Sequence, residues 1–223
     1  MKTLSCAAVL FDLDGVLVES RPAVERQWAI WAREHQLDPD HVIPIAHGRP
    51  TIETIREVTP HLDADAEAKI MEQREIADLD GVRAITGAAD LLARIPPDHW
   101  TVVTSGTRDL ATTRLRYVGL PVPHTMVSAS DITKGKPDPE PYLKAAAALR
   151  LQPRECIVIE DAPSGIRAGK AAGMRVIALP TTYPSEQLGE ADIVIKRLSD
   201  LRLTTANTPG RQAMHLELLV PGE

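Results

Sequence analysis

The chain has 223 residues, 43% of them hydrophobic and 25% charged, with 31 acidic side chains against 25 Lys and Arg and a formal net charge of −6. This composition excludes a disordered chain, and an acidic balance with no long Lys/Arg run excludes a broad electrostatic footprint for nucleic acid or an anionic membrane. Any anionic ligand must therefore be held locally, in one large core or in a core with an appended lobe.

In chain order, Met1 to Cys6 carries one positive charge and leads into an apolar run that ends at Asp12, too short and too soon acidic for a secretory signal. It reads as the first strand. Residues 7–11 are nearly continuously apolar and run into acidic residues and Gly15, as expected of a central parallel strand covered on both faces. From 21 to 80 no strand-like run occurs. Helical patterns appear instead at 24–34, 51–58 and 64–77, punctuated by Pro39, Pro44, Pro50 and Pro60, so a helical lobe is inserted after the first strand. Gly81 and Gly87 mark its return, and 88–94 reads as a helix. Strands follow at 100–103, 156–159, 176–179 and 193–195, with helices at 108–118, 139–150 and 164–172 between them. This alternation predicts an α/β fold with a parallel sheet between helices, the core taking 1–17 and 84–223 and the lobe 18–83. Residues 204–223 receive no assignment beyond an apolar 216–220.

No run approaches the ~18 apolar residues of a membrane span. Cys6 and Cys156, each in an apolar stretch, are too few for a disulfide framework and fit a reducing compartment. A soluble, cytoplasmic protein is expected, with no nucleic-acid or membrane partner and an oligomeric state left open.

Polar groups just beyond the carboxyl ends of parallel strands are where such sheets place their sites. Asp12-Leu13-Asp14-Gly15 is the first group. Alternate residues at a strand end point the same way, so Asp12 and Asp14 can share one site, and two adjacent carboxylates call for a divalent cation. Asp78-Leu79-Asp80-Gly81 repeats the same four letters after a charged helical stretch, and there it reads as a helix end and hinge turn. The second group, Thr104-Ser105-Gly106-Thr107, offers hydroxyls and amides at a helix start. The third is the basic turn Lys134-Gly135-Lys136-Pro137-Asp138-Pro139, and the fourth is the acidic strand end Glu160-Asp161. Gly165, Gly169 and Gly173 lie on one helix face and read as close packing rather than a phosphate loop. His35, His41, His47 and His61 form no helical metal pair, and Trp28 with Trp31 reads as a face of the lobe.

Together these residues resemble the haloacid dehalogenase-like phosphohydrolases that carry a helical cap after the first strand of a Rossmann-like core. Residues 9–20 resemble the family's first motif, Val103-Thr104-Ser105 the second, Gly135-Lys136-Pro137 the third, and Ile159-Glu160-Asp161 with Gly165-Ile166 and residues 171–174 the fourth. The resemblance implies that Asp12 is the nucleophile, forming an aspartyl-phosphate, and that Asp14 is general acid and then base. It also implies Mg²⁺ held by the carboxylates of Asp12 and Asp161 and the backbone carbonyl of Asp14, with Glu160 as a direct or outer partner. Thr104, the Ser105 amide and Lys136 would hold the phosphoryl oxygens.

Within the family Asp14 favours phosphoryl transfer over dehalogenation, and Lys69 is the only cap lysine available to a phosphonatase Schiff base. The strings around His47-Gly48-Arg49-Pro50, Thr104 to Arg108 and Gly135 to Tyr142 resemble the branch acting on small sugar or polyol phosphates, including deoxyglucose-6-phosphate and glycerol-phosphate phosphatases. Arg49 is the cap candidate for contacting substrate, and Glu19 a further one for sugar hydroxyls. A sugar-phosphate mutase of the beta-phosphoglucomutase kind and a catalytically silent binding protein remain as alternatives, and cap closure on hinges near 15–20 and 81–87 is expected.

Overall fold

The computed structural model describes residues 2–47, 49–206 and 215–220. Strand β1 (Lys2–Cys6) leads directly into β2 (Ala8–Phe11), every side chain of which is buried. These side chains alternate between two apolar layers. Val9 and Phe11 enter one with Leu91, Leu92, Ala111 and Leu115, while Ala8 and Leu10 enter the other with Tyr142, Ala145, Ile166 and Ala168. A strand covered on both faces offers no position to a polar residue, which is why this segment reads as an unbroken apolar run.

The chain then leaves the core through β3 (Val18–Glu19), builds α1 (Arg21–Glu34), α2 (Pro39–Ala46), α3 (Thr51–Val58) and α4 (Ala64–Ala77), and returns through β4 (Arg83–Ala84). Val18 pairs with Ala84 and Glu19 with Arg83 in an antiparallel two-stranded link, so the inserted helical cap is entered and left through adjacent strands. The cap has its own apolar cluster of Trp28, Trp31, Val42, Ile55 and Met71, with the two indoles edge to face at 5.4 Å. Helix α2 is absent from the expectation because Pro39 and Pro44 look like breaks. Pro39 occupies the first turn, where its missing N–H costs nothing, and Asp38 caps the helix by accepting from the Asp40 amide at 3.0 Å.

The core continues with α5 (Ala88–Leu92), β5 (Trp100–Val103), α6 (Arg108–Tyr117), β6 (Met126–Val127), α7 (Glu140–Ala148), β7 (Cys156–Glu160), α8 (Pro163–Ala171), β8 (Arg175–Ala178) and β9 (Ile193–Val194). Its six strands are ordered β6-β5-β2-β7-β8-β9, and every pairing is parallel. After β2 the chain builds outward through β5 and β6, crosses over by α7, and builds outward again from β7. The order therefore reverses around β2, and the carboxyl ends of β2, β5 and β7 frame a crevice.

Two expectations change. Lys2–Cys6 is a strand, but it lies outside the parallel sheet, in an antiparallel sheet of order β1-β11-β10 with β10 (Arg202–Ala206) and β11 (His215–Val220). The unassigned tail thus supplies strands, while 207–214 and 221–223 of it, like Gly48 of the cap string, lie outside the described residues. Of the three glycines on the α8 face, Gly165 and Gly169 do permit close packing, but Gly173 ends the helix at φ +77 with open space around it.

Candidate active site

Asp12 directly follows β2, and its amide donates to the Ile159 carbonyl at 2.9 Å, which extends the β2–β7 ladder to the site. Lys136 reaches in from the turn before α7. Its buried Nζ donates to Asp12 Oδ1 at 2.5 Å, Glu160 Oε1 at 2.7 Å and the Val103 carbonyl at 3.1 Å, drawing β2, β5 and β7 to one ammonium. Glu160 is held from every side: Oε1 also accepts from Tyr142 Oη at 2.8 Å, and Oε2 accepts the amides of Asp161 and Ala162 at 3.0 and 3.1 Å. Asp161 is likewise buried. At the end of β5, Thr104 Oγ1 accepts the Gly106 amide at 3.0 Å, and Thr104, Ser105 and Gly106 line the cavity facing Asp12.

Burial pushes the Asp12 carboxyl above its usual range, with Lys136 pulling it back and Glu160 and Asp14 pushing it further up. Asp161 is driven well up by burial and then by Asp12 and Glu160. Burial works against the Lys136 ammonium, but the Asp12 and Glu160 carboxylates outweigh it and hold the group above its ordinary value. The site is therefore short of positive charge.

That shortage bears on the implied cation. One carboxylate oxygen from each of Asp12, Glu160 and Asp161 lies within 4.8 Å of the others, a cluster of hard oxygen donors of the kind Mg²⁺ takes. Space beside it is kept clear by Gly15, at φ +82, where a Cβ would overlap the Asp161 carboxylate. The residues present fit the ion. The carboxylate of Asp14 is not part of this cluster. With four protein donors on its oxygens, Glu160 has its lone pairs largely committed.

Asp14 points instead along the cavity toward the cap. Its Oδ1 accepts from Ser20 Oγ at 2.6 Å and Arg114 Nη1 at 2.9 Å, and Arg114 Nη2 donates to Glu75 of α4 at 2.6 Å. The enclosing cavity has a volume of about 130 Å³ between core and cap, and it takes in Glu19, Trp28, Arg49, Glu75, Arg114 and Ser164 besides the strand-end residues. Arg49 borders it, but its Nη1 is bound to Glu57 at 2.7 Å. Glu19 accepts from the Arg21 amide at 3.2 Å. Lys69 is exposed on α4 and does not border the cavity, so no cap lysine stands where a Schiff base would form. Trp28 serves both the cap cluster and the cavity wall.

Ser20, Glu75, Arg114 and Tyr142 receive no individual role from the sequence. For Arg114 a signal existed: the buried face of α6 is Leu110, Ala111, Arg114 and Leu115, so an arginine stands where helical periodicity calls for an apolar residue. Glu75 is similarly a buried carboxylate in an otherwise charged, solvated helix pattern, and burial is what composition cannot reveal.

Residues 9–179 match the family described as haloacid dehalogenase-like hydrolase. The chain belongs to that family. This hydrolase is 41% identical over 206 residues to hexitol phosphatase A of Escherichia coli (strain K12), covering 90% of this chain and 95% of the other. It is 36% identical over 216 residues to glycerol-1-phosphate phosphohydrolase 2 of Saccharomyces cerevisiae, covering 90% and 86%. Its fold matches the crystal structure of CbbY from Rhodobacter sphaeroides in complex with phosphate, with a TM-score of 0.78 at 22% identity over 87% of this chain and 96% of that one. Among the described residues of the hydrolase, no helix is long and apolar enough to cross a membrane.

Proposed function

We propose that the hydrolase is a Mg²⁺-dependent phosphatase of small sugar or polyol phosphate monoesters. The observation that carries this reading is a buried carboxylate, Asp12, at the end of the central strand with Lys136 Nζ at 2.5 Å, facing a cavity between core and cap that Asp14 also lines. An Asp12 oxygen attacks phosphorus and the bond from phosphorus to the ester oxygen breaks. Asp14 delivers its proton to the departing oxygen, so the product leaves as a neutral alcohol. Water then attacks the aspartyl-phosphate and gives a proton back to Asp14, and the bond between phosphorus and Asp12 breaks to release inorganic phosphate. Lys136 and the Thr104–Ser105 turn hold the phosphoryl oxygens where negative charge collects. Asp12, Asp161 and the Asp14 backbone carbonyl would hold Mg²⁺, with Glu160 anchoring Lys136 beside them, and the ion would supply charge neutralisation for the phosphoryl group.

The substrate class is supported by the names of the hexitol and glycerol-phosphate relatives and by the cavity wall, where Glu19 can accept from hydroxyls and Trp28 offers an apolar face. A panel of phosphate esters assayed with Mg²⁺ tests it: small polyol phosphates should turn over fastest. Asp12→Asn should retain its fold by circular dichroism and lose at least about 1000-fold in kcat, and unchanged turnover refutes the nucleophile. A hexose 1-phosphate converted to hexose 6-phosphate without free phosphate would replace the phosphatase reading with the mutase one.

A further inference from the structure

We propose that Arg114 is the positioning residue for Asp14, and that its second partner, Glu75, makes this positioning depend on the cap being seated. The proposal rests on the reading of Asp14 as the acid that protonates the leaving group. The Arg114 side chain is 3% exposed, and its guanidinium is shared between Asp14 of the core at 2.9 Å and Glu75 of the cap at 2.6 Å. Ser20 Oγ falls on the same Asp14 oxygen, Oδ1. Two donors fixed on Oδ1 set the carboxyl plane and leave Oδ2 as the oxygen that carries the proton toward the ester.

A clamp between cap and core needs no such arrangement. Replacing a buried ion pair by apolar side chains is commonly neutral or stabilising, so holding a guanidinium on the Leu110, Ala111 and Leu115 face of α6 is poorly explained by stability. The fork geometry of arginine, by contrast, lets two carboxylates be held at once in a fixed relation. Helix α4 also brings Glu72 to accept from Thr107 Oγ1, beside the turn that faces the phosphoryl group, so one cap helix touches both sides of the chemistry. When the cap lifts, Glu75 withdraws, the guanidinium loses one of its two anchors, and Asp14 loses its fixed orientation. Protonation of the leaving oxygen is then confined to the closed state.

The test compares kcat/KM for an alkyl ester, glycerol 1-phosphate, whose alkoxide must be protonated, with that for p-nitrophenyl phosphate, whose phenolate leaves unaided. Glu75→Gln and Arg114→Gln should lower the alkyl-to-aryl ratio about tenfold or more, within the ~10²–10⁴ that general acid catalysis supplies. Arg114→Lys, which cannot span both carboxylates, should fall between them and the parent. The ratio is insensitive to the fraction of folded protein, and Glu75→Gln keeps the side-chain volume while removing the charge that anchors Arg114. Equal losses on both esters overturn the proposal in favour of a structural clamp. Asp14→Asn separates the two readings: if the ratio falls there but not in the Glu75 and Arg114 variants, only this proposal fails. If it does not fall in Asp14→Asn, the acid assignment has failed and takes the proposal with it.

Discussion

Gly165 carries no functional group, yet the position of Glu160 depends on it. A Cβ at Gly165 would collide with the Glu160 carboxylate, which cannot step aside because Lys136, Tyr142 and two backbone amides hold it. Gly165→Ala should therefore lower stability by about 1–3 kcal/mol in urea titration, despite the better helix propensity of alanine, and should lower kcat/KM as Lys136 shifts. Residues of this kind divide by legibility. Asp12, Lys136 and Asp161 could be read because each ends a strand or fills a short polar turn between apolar runs. Glu75 could not, and Arg114 showed only as an arginine out of place on an apolar face, since their meaning comes from a contact between a core helix and a cap helix nearly forty positions apart.

The four letters of Asp12 to Gly15 recur at 78–81, and the two copies do different work because their elements differ. Asp78 ends α4 and ties it to α1: Arg26 donates from Nε at 2.8 Å and from Nη2 at 2.5 Å, and Gln27 donates at 2.5 Å. The Arg26 hydrogen bonds, helped by Gln27, pull the Asp78 carboxyl down to about 2. Its folded value is thus below the unfolded ~3.9, so the stabilisation is fully present above that value and is lost as pH falls toward about 2. Asp78→Asn should cost about 1 kcal/mol at pH 7, and the gap from the parent should close between about pH 4 and 2, read from urea midpoints. The helix end and turn were legible because charged helical sequence precedes them. The partner of β1 was not, because β11 lies some two hundred residues away and hydrophobic alternation says nothing about which strand pairs with which.

At the scale of the whole molecule, the proposed phosphate binding is compatible with a net charge of −6 only if a cation offsets a pocket whose buried carboxylates outnumber its one lysine. Added Mg²⁺ should raise Tm, by the equivalent of about 2.7 kcal/mol at a hundredfold excess over Kd, and Asp161→Asn should abolish most of that gain. Mg²⁺ with orthovanadate should also shrink the radius of gyration in solution scattering as the cap seats on the β3–β4 link, and ligand-independent scattering would count against a moving cap. The strand order has one more consequence, in the making of the protein. The strand bearing Asp12 leaves the ribosome well before either of its neighbours, Trp100–Val103 and Cys156–Glu160. At about 5–20 residues per second, β2 waits roughly 7–30 s for its second partner. Of the four interior strands of the parallel sheet, β2 thus waits longest for its second neighbour, and until then an entirely apolar strand edge is exposed, so the strand that carries Asp12 needs cover during translation.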